Sequence, residues 1–280
     1  MKSYLIGLMT ALLMVIAGTT EAAPKRIKGS GNIVSKTVTV EAFEGVHASR
    51  AIHVKLVPET TDGKIQIAAD DNLIEWVVAK VSNGVLNLTI DNDVRSIQNV
   101  HVTITVPTDG KLSSLKASSA AKVQSEVKIV KKEVSVKASS SGEVKADIVA
   151  EKCTIDTSSA GEYKGEVKSN FCHAEASSSA EIEMTLTTQK CYLNSSSAAE
   201  IVVKGAALGA TLNASSAADI LGDHFVVKHC HADASSAGEI AICCLEEFKG
   251  NASSAGDIRV YGECKNFSRS TSSGGSITKK

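Results

Sequence analysis

One small phrase recurs at nearly constant spacing through residues 113–280: Ser-Ser-Ala-Gly or a close variant, followed by an acid and an apolar residue. It reads GNASSAGDI at 250–258 and ADASSAGEI at 232–240. Counted on its second serine, it falls at Ser119, Ser140, Ser159, Ser178, Ser197, Ser216, Ser236, Ser254 and Ser273. The intervals are 21, 19, 19, 19, 19, 20, 18 and 19 residues. A fixed period of this kind is the signature of a solenoid. Nineteen residues are too few for paired-helix repeats, and the phrase lacks the leucine and asparagine landmarks of leucine-rich repeats. Valine, isoleucine and threonine are plentiful, prolines number three, and no stretch keeps a helical period, which is a β composition. The expected fold is all-β: a right-handed parallel β-helix with coils of about 19 residues.

Stacking the coils turns each position of the period into a file of side chains. Six residues before the marker serine the file reads Ser113, Val134, Cys153, Cys172, Cys191, Ala210, Cys230, Phe248, Phe267. Four before, it reads Leu115, Val136, Ile155, Ala174, Leu193, Leu212, Ala232, Gly250, Arg269. Four after, it reads Val123, Val144, Tyr163, Ile182, Ile201, Ile220, Ile240, Ile258, Ile277. These files face inward and supply the core, with neighbouring coils ~4.8 Å apart and the nine coils roughly 40 Å long in all. The Ser-Ser-Ala-Gly stretch makes a tight corner, its hydroxyls expected to satisfy corner backbone groups. Four of the seven cysteines share one inward file. In-register stacking fits disulfide dihedrals poorly, so buried thiols acting as small hydrophobes are favoured. One bridge, Cys153–Cys172 or Cys172–Cys191, stays open.

Residues 1–22 read as a secretory signal peptide, with Lys2, the apolar run Leu5 to Ala17 and the small-x-small site Thr20-Glu21-Ala22. The apolar run is short for a membrane span, so an exported protein is expected, periplasmic, outer-surface or extracellular. Residues 23–112 form a less regular N-terminal β region of first coils and cap. VHASRAIHVKLV at 46–57 is a worn copy of the phrase, GKIQIAAD, GVLNLTID and VHVTITVP alternate strictly, and Gly84 suits a hairpin. Trp76 sits in a short helix or strand over that end.

The opening GSGNIVSKTVTVEAFEGVHASRAIHVKLV (29–57), then DDNLIEWV, GVLNLTI and the repeated ASSAGEI, resemble the putative auto-transporter adhesin head GIN domain proteins. The resemblance spans about 29–277. It implies a secreted or cell-envelope β-helix and carries no catalytic residues.

Function is less constrained than fold. A net charge of −1 gives no general pull toward nucleic acid. Aromatics at 4% argue against a ring-paved groove. Three positions after the marker runs an outward acidic file, Glu143, Glu162, Glu181, Glu200, Asp219, Glu239, Asp257. Two positions further on, Lys145, Lys164 and Arg259 relieve three of these acids. Glu181 meets Glu183 there, and Glu200, Asp219 and Glu239 meet apolar residues. That patch (Glu181, Glu183, Glu200, Asp219, Glu239) is the candidate calcium site, since hard oxygen ligands suit the ion; the plain alternative is a solvated acidic edge. His229, His231 and Asp233 in HCHAD share one strand face and are the candidate transition-metal ligands. The carboxylates form a uniform file with no pair singled out, and no GxSxG occurs, so catalysis is not expected. The reading is a scaffold or adhesion-type binding module without a required cofactor, its partner an envelope or extracellular protein or glycan. A calcium- or carbohydrate-binding module is the alternative, and a polysaccharide-active enzyme lies further off.

Overall fold

The structure, a computed structural model, describes residues 25–58 and 62–280. The signal segment and its cleavage point lie outside them. Apart from one 3-10 turn, Ile74–Trp76, the described elements are β-strands. From Ser114 onward each coil lies in parallel register on the one before it, as a parallel β-helix requires. The long strands Glu162–Ser177, Glu181–Ser196, Glu200–Ser215 and Asp219–Ser235 run nearly from corner to corner.

The files form as expected except in the last coil, where Phe267 is half-buried and Arg269 is exposed because no further coil covers them. Cys153 pairs with Cys172, Cys172 with Cys191, Cys191 with Ala210, and Ala210 with Cys230. Tyr163, Ile182, Ile201, Ile220 and Ile240 stack in the same way and are fully buried or nearly so. A third inward file, Ile129, Ile148, Val167, Leu186, Gly205 and Phe225, closes the interior. Gly205 has φ +106, and a Cβ there would lie 2.3 Å from the Leu186 carbonyl oxygen, so only glycine fits. The variation in repeat length is taken up by register shifts between Val202 and Gly205, between Gly222 and Val226 and between Val227 and His229, while the cysteine and isoleucine files continue in register across them. All seven cysteines are free. Burial raises the Cys191 thiol to about 12, and a hydrogen bond donated to Cys153 together with burial lifts Cys172 well above its usual value. These thiols serve as packing groups.

Every corner is a left-handed pair: Ser159 and Ala160 have φ of 52 and 56, and the equivalent residues of the other coils match them. Left-handed backbone disfavours L-residues by roughly 1–2 kcal/mol each, which selects the small side chains. Serine hydroxyls satisfy corner backbone groups, as the sequence suggested, at the corner where Ser195 Oγ donates to the Ala199 carbonyl at 2.9 Å, but they are not the general device. The backbone does this itself. Ala160 N–H donates to the Ser178 carbonyl at 3.1 Å, Ser179 to Ser197 at 3.1 Å, and Ala198 to Ser216 at 3.0 Å. The marker hydroxyls are left on the exposed surface.

The N-terminal region departs from simple stacking. Gly45–Ser49 and His53–Pro58 form a coil in register with Ser114–Ser118 and Lys122–Ser125, with Arg50 and Ala51 as its left-handed pair. The next coil in the chain, Val85–Ile90 and Val102–Thr108, stacks on the far side of that first coil, pairing Val46 with Leu86 and Val54 with Ile104. Its open edge is then covered by antiparallel strands: Lys64–Asp70 against Val102–Thr108, Ile33–Thr39 against Lys64–Asp70, and Val77–Ser82 against Val85–Ile90. The last pair turns through Asn83 and Gly84, both at positive φ, as a two-residue hairpin demands. Trp76 closes the 3-10 turn, with the Lys25 ammonium 3.8 Å from its ring centroid.

The family-like opening clamps this cap. Asp70 is fully buried and accepts from the Gly31 and His101 N–H groups, both at 2.7 Å. Ser30 Oγ and Asn32 Nδ2 donate to Asp71 at 2.7 and 2.8 Å. Burial pushes the Asp70 carboxyl up, but the two backbone donors outweigh it and hold the group below the usual carboxylate range.

Candidate functional site

The acidic file is real, and its charge pairing differs from the sequence reading. Glu162, Glu181, Glu200, Asp219, Glu239 and Asp257 stand in consecutive register. Their cations come from neighbouring coils rather than from two residues along the same strand. Lys122 pairs with Glu143 at 2.5 Å, Lys164 with Glu183, and Arg259 with Glu239. The reason is reach, since a lysine or arginine stem easily crosses the ~4.8 Å between coils. Glu183 and Glu239 therefore leave the uncompensated patch, which shrinks to Glu181, Glu200 and Asp219. Glu200 registers the crowding: burial first, then Glu181 and Asp219, raise its carboxyl.

His229, His231 and Asp233 do share the outer face of strand Asp219–Ser235, with Cys230 and Ala232 buried between them. Each is already engaged. His231 Nε2 lies 3.1 Å from Asp233 Oδ2, Asp233 Oδ1 accepts from Asn251 Nδ2 at 2.6 Å, and His229 Nδ1 lies 3.5 Å from Glu247. Among the described residues no three His, Cys, Asp or Glu side chains converge as a metal-binding group.

The same face holds a shallow trough that the sequence reading missed. It runs along the rod between two outward files, seven and five residues before the marker serine, with an inward file as its floor. One wall is Phe171, Lys190, Gly209, His229; the other is His173, Tyr192, Thr211, His231. His173 and Tyr192 stack with centroids 5.0 Å apart and planes within 5°. Asn213 Nδ2 donates to Tyr192 Oη at 2.8 Å, and His173 Nε2 lies 3.1 Å from Glu175. Overall aromatic content hid this, because five rings, three of them imidazoles, are gathered in just two files. Setting those files side by side, coil by coil, is the signal that would have found them.

These features define a capped parallel β-helix with polar, repeating outward files and one ring-lined trough. Residues 42–170 and 162–264 match the family described as putative auto-transporter adhesin, head GIN domain; the chain belongs to that family. Its fold is shared by solved structures at low identity. A putative adhesin from Parabacteroides distasonis ATCC 8503 aligns with TM-score 0.67 and 18% identity, over 91% of this chain and 100% of that one. A putative adhesin from Parabacteroides merdae ATCC 43184 gives 0.64 and 15%, over 91% and 99%. A putative lipid binding protein from Parabacteroides distasonis ATCC 8503 gives 0.61 and 18%, over 91% and 100%. Comparison with curated proteins returned no match. Among the described residues, no helix is long and apolar enough to cross a membrane.

Proposed function

We propose that this protein is an exported adhesion-type binding module of the cell envelope that holds an extracellular protein or glycan without chemical turnover. The observation that carries the reading is the in-register stacking of outward files on a continuous buried core. Such a rod presents the same side chains again and again along one axis, and many weak contacts add along it. Membership of an adhesin-type family supports the reading, as do structural relatives described as putative adhesins. The corners sit in backbone ladders, and the uniform acidic file singles out no acid–base pair, which favours binding over catalysis.

The direct test is capture. The purified chain, immobilised, is incubated with envelope and extracellular extracts and eluted with salt. Retention of a defined protein or glycan that free chain competes away is expected. Recovery of nothing above a scrambled-surface control would sink the adhesion reading.

Calcium along Glu181, Glu200 and Asp219 is the second reading, favoured by the unrelieved charge at Glu200. Millimolar calcium should then raise the melting temperature, and the gain should vanish in Glu200→Gln. An unchanged melting curve ends it.

A further inference from the structure

The trough walls drop together at a single coil. Gly209 stands where its neighbours in the file are Lys190 and His229, and Thr211 stands between Tyr192 and His231. A Cβ on Gly209 would meet nothing within 4 Å, so the glycine answers no packing need; it opens a notch. The notch and adjoining trough hold about 580 Å³, a volume typical of small-molecule sites.

The spacing sets what can enter. Tyr192 and His231 stand two coils apart, roughly 10 Å at ~4.8 Å per coil. The filled layer below shows the thickness of one step, since the His173 and Tyr192 rings are 5.0 Å apart. One ring can therefore lie between Tyr192 and His231, about 5 Å from each face. That is loose for a flat base, which stacks closer, and suits a thicker saturated ring whose C–H faces meet the aromatic faces. Both flanking rings are fixed in advance: Tyr192 by Asn213 and the His173 stack, His231 by Asp233. Leu208, 51% exposed, adds an apolar lip.

Charge sets the ligand's sign. The acids of the trough lie at its imidazoles and not at its lysines, Glu247 3.5 Å from His229 and Glu175 3.1 Å from His173. Lys190 and Lys249 line the notch and make no ion pair among the described residues. Two ammonium groups are therefore free to meet a carboxylate of a ligand.

We propose that the notch binds one pyranose ring of an acidic polysaccharide, a uronic acid held between Tyr192 and His231 with its carboxylate at Lys190. Lys249, two coils beyond Gly209, receives a further carboxylate as the saccharide continues along the trough. The inference rests on the adhesion-type reading and names the class of its glycan.

Isothermal titration with a tetragalacturonate, a matched neutral tetraglucoside and a short single-stranded oligonucleotide tests it. The uronate should bind, weaken with added salt, and exceed the neutral saccharide by about tenfold. Gly209→Leu, which fills open space and should melt like wild type, and Lys190→Glu should each cost about tenfold in affinity. Lys80→Glu, on the exposed face of the cap strand Val77–Ser82, should bind as wild type does. No binding of the uronate at about 1 mM, equal binding of the neutral saccharide, tighter binding of the oligonucleotide, or full affinity in Gly209→Leu would each overturn the proposal. Wild-type capture of envelope material by Gly209→Leu would overturn the notch as the glycan site and leave the adhesion reading standing.

Discussion

Two regions of this molecule build the same core by different routes. From Ser114 onward the order of coils in space is the order in sequence, and every contact an inner residue needs is supplied about 19 residues away. Between residues 33 and 108 the chain doubles back. The coil at 85–108 lands outside the coil at 45–58, and antiparallel strands seal its edge. The repeats are stabilised by near-identical neighbours, so their stability is close to a sum of coil and interface terms. The cap hangs on particular residues, with Asp70 binding the opening loop to the loop at His101 and Arg50 donating to the carbonyls of Ile90 and Asp91 at 2.9 Å. An open parallel coil is a template for another chain; a specific fold-back covers it where a further repeat would only recreate the edge.

The contrast makes the sharpest demand on the core. Leu193→Ala, in the middle of the repeats, should destabilise by about 3 kcal/mol. Hydrogen exchange should rise in the coils on either side and stay slow in the cap. Protection lost uniformly from residue 25 to 280 would show that the two regions form one cooperative unit.

Asp70→Ala should cost about 2 kcal/mol by removing the charged acceptor of two part-buried N–H groups, with exchange rising in Ile33–Thr39 and Lys64–Asp70 while the repeats are unchanged. The wild-type group also predicts a pH dependence. Its folded pKa lies below the unfolded value of about 3.9. Its stabilisation is therefore present above about pH 4 and is lost as pH falls through the folded value. Urea melts across that range should show the loss in wild type and not in Asp70→Asn.

Glu200 carries the opposite sign. Its carboxyl is raised in the folded state, so the charged form is penalised at neutral pH. That penalty fades as pH falls through the raised value toward the unfolded value of about 4.3. Glu200→Gln should stabilise the repeats by about 0.5 kcal/mol at neutral pH, and by less in about 1 M salt. No gain would mean that solvent already screens the file.

The smallest effect is chemical. At about pH 8, a thiol alkylating agent should label Cys243, the half-exposed cysteine, and spare the buried ones, whereas protein in urea should take the label at all seven. Labelling at Cys153 or Cys172 in folded protein would contradict the tight interior files.

How much of this was legible follows the same division. The files of Cys153, Leu193 and Ile201 could be written down from spacing alone, because a solenoid turns sequence separation directly into contact. So could the hairpin at Asn83-Gly84, whose turn chemistry is local. The fold-back of 85–108 could not, since either face of the first coil offers an equivalent apolar file and only the antiparallel partners decide between them. At the surface, the acidic file was legible and its pairing was not, because Lys164 and Arg259 choose partners by reach across coils.

The sequence by itself determined the β-helix, its period, its inward and outward residues and the alignment of Glu181, Glu200 and Asp219, since a repeat fixes the axial neighbour of every side chain. Only the tertiary structure decided the order of the N-terminal coils, the ion-pair partners and the notch at Gly209. Those depend on how files lie beside one another around the coil, and a one-dimensional period carries no such information.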